Sequence, residues 1–161
     1  MGLRFKDQSH GNCFFVTTCF HGHSRQGDIP GVYDVLARSL TFCIEKYKAA
    51  LPAYVLMPSH IHLLIIIEGH KLAGFMRDFK KFVAQKGMSE CGVTAGTIWQ
   101  FRYDRVAITS EKTFRRKLEY IHRNPVKAGM RDKEEGWPWS SAVVYLKGEC
   151  GHVPVWKDWQ F

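Results

Sequence analysis

The sequence predicts an α+β fold built on an antiparallel sheet, on three observations. Short apolar runs and amphipathic stretches alternate in the order β-α-β-β-α-β, with one more helix behind them. The run at residues 60–68 (HIHLLIIIE) is apolar on both faces, as a central strand is. The 161 residues, 45% hydrophobic and 24% charged, can bury a core without disulfide staples. This order is that of a ferredoxin-like, split βαβ sheet with helices packed on it.

Residues 13–20 (CFFVTTCF) are rich in aromatic and β-branched side chains and read as the first strand. Residues 21–31 (HGHSRQGDIPG) are a loop. Asp28 and Pro30 open the first helix, and Val32, Leu36, Leu40, Cys43 and Tyr47 carry its apolar stripe. Residues 53–57 form the second strand, and Pro58-Ser59 turns the chain into the third. Leu72, Phe75, Met76, Phe79 and Val83 mark a second helix, with Arg77, Lys80, Lys81 and Lys86 on its other face. A loop at 87–96 leads to a fourth, bent strand over 97–108. Thr109 or Ser110 starts a third helix over 110–123, with Glu111 in its first turn. Pro125 is expected to end it, because the residue before a proline is biased away from helix. Residues 1–161 read as one domain, with 137–161, holding four of the five tryptophans, as a tail packed on it or extending from it.

Lys and Arg total 23 against 15 Asp and Glu, a formal +8. Such an excess asks for an acidic partner, nucleic acid first and an anionic membrane second. The longest aliphatic run, residues 63–67, is far below the ~20 needed to span a bilayer. No apolar signal core follows the N-terminus, so a cytoplasmic protein without a membrane partner is expected. The five cysteines are odd in number and none has CxxC spacing, which argues for reduced thiols over a disulfide framework or zinc ribbon.

His60 and His62 lie at i and i+2 on a strand, so both imidazoles share one face. That spacing admits either a shared cation or two hydrogen-bonded histidines at a sheet end. His21 and His23 straddle a glycine in a loop and read as solvent-exposed or phosphate-contacting; His70, His122 and His152 have no supporting spacing. On the third helix Phe114, Leu118 and Ile121 form the core stripe. Tyr120 sits roughly 100° off that stripe, with Asn124 one turn on along its own face. Residues 110–133 carry eight bases (Lys112, Arg115, Arg116, Lys117, Arg123, Lys127, Arg131, Lys133) against three acids. A concentration of that kind suits a phosphate backbone. A tyrosine so placed can attack a phosphodiester and hold a covalent intermediate, a reading that depends on the histidine pair.

Residues 56–64 (LMPSHIHLL) and 120–129 (YIHRNPVKAG), in this order, resemble the single-tyrosine HUH transposases, both insertion-sequence and REP-associated. The resemblance extends to Phe15-Val16-Thr17, Trp99-Gln100 and Trp137-Pro138-Trp139-Ser140-Ser141, and so covers nearly the whole chain. It implies an HUH endonuclease palm in which His60, His62 and Asn124 bind Mg²⁺ or Mn²⁺ and Tyr120 is the nucleophile. It implies cleavage of single-stranded DNA beside hairpins at mobile-element or REP-like ends, giving a 5′-phosphotyrosine and a free 3′-OH that rejoining reverses. Imidazole ligands suit Mn²⁺ better than Mg²⁺. Insertion-sequence members are dimers and REP-associated ones can act as monomers, so either a monomer or a homodimer is implied. Ser59 departs from the family's usual Asn or Asp. Lys80, Lys81, Arg102, Arg105, Arg116, Lys117, Arg123 and Lys127 are the candidate DNA contacts.

Two rivals stand beside this reading. One is a non-catalytic single-stranded nucleic-acid-binding module that stacks bases on Phe14, Phe15, Trp99 and Tyr103. The other is a zinc hydrolase on His60 and His62, whose nearest strand acid is Glu68.

Overall fold

The computed structural model describes residues 12–160; the N-terminal stretch read for a signal core lies outside them. The strands are β1 (Cys13–Cys19), β2 (Ala50–Leu56), β3 (His60–Ile66) and β4 (Asp104–Ala107). The helices are α1 (Val32–Tyr47), α2 (Leu72–Phe82), the one-turn α3 (Met88–Glu90), α4 (Glu111–Lys127) and α5 (Ala142–Lys147). The sheet order is β2-β3-β1-β4, and every pairing is antiparallel. The two apolar strands, β1 and β3, are therefore the central ones.

Alternation along these strands divides the core in two. Phe14, Val16, Ile61, Leu63 and Ile65 meet Leu36 and Leu40 of α1 and Phe75 and Phe79 of α2. Phe15, Val55 and Leu64 point the other way and meet Phe114 and Ile121 of α4 with Trp137. The sheet is thus covered on both faces, and His60 and His62 belong to the face under α4. None of the described helices is long and apolar enough to cross a membrane.

Four elements differ from the sequence expectation, the first being the helical turn Met88–Glu90 inside the stretch read as a loop, where Met88 is buried in the core. The strand over 97–108 shortens to Asp104–Ala107, with Trp99 making only an isolated bridge to Phe20. Trp99 is 7% exposed, stacks on Phe20 and donates Nε1–H to the Lys80 carbonyl, and these side-chain commitments take the chain out of the ladder. β2 begins at Ala50, before Pro52, because the ladder absorbs the proline in a register shift between Ala50 and Ala53 on an edge strand. α4 continues through Pro125 to Lys127. A proline this late removes one helical hydrogen bond, its ring is buried, and the Ala128 amide still donates to the Asn124 carbonyl at 3.0 Å.

The C-terminal segment covers the edge of β2. Amides of Leu56, Ser141 and Trp156 donate to Trp139, Tyr54 and Leu51 carbonyls respectively. Trp137 Nε1 donates to the Leu56 carbonyl. An edge strand sealed in this way does not present open backbone groups to another sheet.

Candidate functional site

The site begins at the turn before β3. Gly27 donates its amide to the Pro58 carbonyl at 2.9 Å, and a Cβ at Gly27 would lie 2.8 Å from the Pro58 Cα. Only glycine allows this approach, which seats the Pro58-Ser59 turn and so the start of β3. His60 and His62 follow on one face, ring centroids 4.8 Å apart. Ser59 Oγ lies 3.0 Å from His60 Nδ1, and Thr17 Oγ1 lies 2.8 Å from His62 Nδ1 across the β1–β3 ladder. Each hydroxyl fixes a ring orientation through Nδ1, as outer partners of metal-binding histidines do.

α4 lies over this end of the sheet. Ser110 caps it, accepting the Thr113 amide at 3.2 Å. Phe114 and Ile121 are fully buried beneath the helix, which leaves Tyr120 at its margin, 37% exposed. The Tyr120 ring packs on His62 at 5.3 Å and on Phe15 at 5.9 Å, edge to face. Phe15 in turn stacks on His62 at 5.3 Å. One turn on, the Asn124 side chain is near enough to His60 to favour its protonated ring.

Burial sets the electrostatics. It lowers the His62 imidazole, helped by His60 and Lys117, to about 3. His60 is also lowered by burial, against the opposing effect of Asn124, with His23 adding to the lowering. Both rings are therefore neutral at pH 7 and keep a lone pair for a cation. The donor set is two imidazoles and a carboxamide, which fits a divalent ion that retains open positions. Among the described residues no cluster of three His, Cys, Asp or Glu side chains could hold a metal. Lys117 extends into the same place, its Nζ 4.2 Å from the Phe15 centroid and 5.6 Å from that of Tyr120. Lys127 Nζ lies 5.5 Å from the Tyr120 centroid.

The candidate DNA contacts divide into two groups. Arg116, Lys117, Arg123 and Lys127 line a concavity of about 270 Å³ with Tyr120, Thr113 and Glu119. Lys80, Lys81, Arg102 and Arg105 belong instead to α2 and the segment around β4. Lys80 is committed to protein, donating to the Gln100 carbonyl at 2.6 Å. Of the aromatics considered as base-stacking surfaces, Phe14 (0%), Phe15 (8%) and Trp99 (7%) are buried and Tyr103 is half-buried, so three of the four rings are closed to a base. Glu68 follows the far end of β3 and pairs with Lys71 at 2.8 Å, away from the histidines. Sequence reasoning missed Thr17, whose contact with His62 spans 45 positions, and His122. The His122 ring is buried, its Nε2 2.7 Å from Ser141 Oγ, and Ser141 Oγ also accepts the Tyr54 amide. That contact ties α4 to β2. Alternation placing Thr17 inward on the β1 face was the available signal for the first; no local pattern marks the second.

A strand-borne histidine pair under a helix that carries a tyrosine and, one turn on, an asparagine defines a class. The chain matches the family described as transposase IS200 like over residues 24–124 and belongs to that family of single-tyrosine transposases. It is similar to the REP-associated tyrosine transposase of Escherichia coli K12, 33% identical over 108 residues, which cover 63% of this chain and 62% of that protein. A candidate REP-associated tyrosine transposase of Haemophilus influenzae is 25% identical over 154 residues, 89% of this chain and 87% of the relative. The fold matches a solved structure of a REP-associated tyrosine transposase bound to a REP hairpin, with a TM-score of 0.73 and 24% identity. That match covers 100% of this chain and 95% of the other.

Proposed function

We propose that this transposase nicks and rejoins single-stranded DNA beside REP-like hairpins, through a 5′-phosphotyrosine on Tyr120. The observation that carries the reading is Tyr120 in ring contact with His62, while Asn124, one turn on along the same helix face, acts on the His60 ring. His60, His62 and Asn124 would hold Mg²⁺ or Mn²⁺, which when bound supplies Lewis-acid charge and a fixed position for the scissile phosphate.

The other steps belong to the chain's own residues. The Tyr120 oxygen forms a bond to phosphorus as the bond to the 3′ oxygen breaks. The phenol proton leaves, and the departing oxygen takes up a proton as the 3′-OH. One phosphodiester replaces another, so rejoining needs no nucleotide triphosphate. Lys117, held among Phe15, Tyr120 and His62, brings positive charge to the phosphate oxygens where few water molecules compete. Burial and neighbouring Arg116 disfavour its ammonium, so an arriving phosphate relieves that cost. Arg116, Arg123 and Lys127 guide the strand along the concavity.

The test is covalent trapping. Labelled hairpin DNA from the flanks of the gene is incubated with protein and Mn²⁺ or Mg²⁺, then run on a denaturing gel. The expected adduct requires metal and disappears in Tyr120→Phe. DNA binding without an adduct would instead establish the non-catalytic binding module.

A further inference from the structure

Phe101 is 94% exposed, more than any other large apolar side chain among the described residues. Its backbone is nonetheless fixed. Lys80 Nζ donates to the Gln100 carbonyl at 2.6 Å and reaches the Phe101 carbonyl at 3.4 Å. The Gln100 amide donates to the Cys19 carbonyl at 3.0 Å. The neighbouring Trp99 is anchored by its stack on Phe20, at 4.6 Å. An aromatic ring on an immobilised segment, turned away from the core, has little conformational freedom to lose on capturing a flat partner.

The surroundings indicate what that partner is. No acidic residue occurs between Glu90 and Asp104, and Arg102, also exposed, follows Phe101 directly. Cys19, which holds Gln100, pairs in register with His60. The main chain at Gln100 is therefore two strand spacings, ~10 Å, from the main chain at His60. A DNA strand stacked as in a duplex, at ~3.4 Å per nucleotide, covers that distance in about three nucleotides, and a more extended strand in fewer.

We propose that Phe101 is a base-stacking platform for an unpaired nucleotide a few positions from the scissile phosphate, with Arg102 on an adjoining phosphate. This inference rests on the reading of Tyr120 as the DNA-cleaving residue. It assigns to the β4 flank the role of holding the single-stranded part of the substrate, apart from the basic concavity on α4. Stacking on a ring face tolerates every base, so this subsite contributes affinity and register rather than base readout.

The experiment measures fluorescence anisotropy with two probes: a DNA hairpin from the gene's flanks carrying a single-stranded extension, and the same hairpin blunt-ended. Phe101→Ala is expected to weaken binding of the extended hairpin roughly 5- to 150-fold and to leave the blunt hairpin unchanged. Phe101→Trp restores binding and Phe101→Leu does not. Unchanged affinity for the extended hairpin in Phe101→Ala overturns the proposal. So does an equal loss on both probes, or light scattering that shows Phe101→Ala dissociating a dimer, which would make the ring a contact between copies. Trapping of the wild type in parallel separates the two readings. Without an adduct but with the extension-specific loss, the cleavage reading falls and the stacking platform stands. With an adduct and no such loss, the platform alone falls.

Discussion

Acidification from pH 7 to about pH 5 should destabilise the metal-free protein by about 4 kcal/mol, through two buried histidines. His62 (6% exposed) and His122 (4% exposed) are held by burial at about 3 and about 4, against an ordinary imidazole value of 6.5. A folded-state value below the unfolded one means that the unfolded chain binds protons first. The stabilisation is complete above 6.5 and is lost as pH falls below it, levelling out only near the folded values. At about pH 5 each unfolded ring is protonated and each folded ring is not, and at ~1.4 kcal/mol per pH unit each contributes about 2 kcal/mol. His60, also lowered by burial, acts in the same direction. Urea unfolding in EDTA, across that range, measures the change. His122→Gln retains a partner for Ser141 and should remove about half the pH slope. Equal midpoints at both pH values, or an unaltered slope in His122→Gln, would show that these rings are not held neutral by burial.

Three further outcomes follow from the geometry. Mn²⁺ at ~100 times its dissociation constant should stabilise the protein by about 2.7 kcal/mol, a melting shift of roughly 5–10 °C. His62→Ala should abolish the shift, and an equal shift in that variant would place the ion elsewhere. Lys117→Met keeps the aliphatic cover of Phe15 but removes the charge, and should slow adduct formation about 100-fold or more without lowering the melting temperature. Phe114→Ala empties a fully buried position against Trp159, ring centroids 4.4 Å apart, and should cost about 3–5 kcal/mol in urea unfolding.

Much of this was legible in the sequence where side-chain periodicity does the work. Alternation fixed His60 and His62 on one face of a central strand, and helical spacing set Tyr120 beside Asn124 and off the Phe114–Ile121 stripe. The proline rule failed at Pro125 because tertiary packing of a buried ring outweighed a local bias. Periodicity likewise overextended β4, where the side-chain anchors of Trp99, not strand propensity, decide the path. Alternation put Thr17 on the histidine face, but its partner His62 lies 45 positions away, and no local pattern announces the His122–Ser141 contact. The aromatic character of the sheet was visible, but which rings point to solvent was not; of those bordering β4, Phe101 is the exposed one.

The most direct measurement is mass spectrometry of the trapped DNA adduct after nuclease trimming and trypsin digestion. A nucleotide mass on the peptide of residues 118–123, localised by fragmentation to Tyr120, is the predicted result. A nucleotide on any other peptide would contradict the assignment of Tyr120 as the nucleophile.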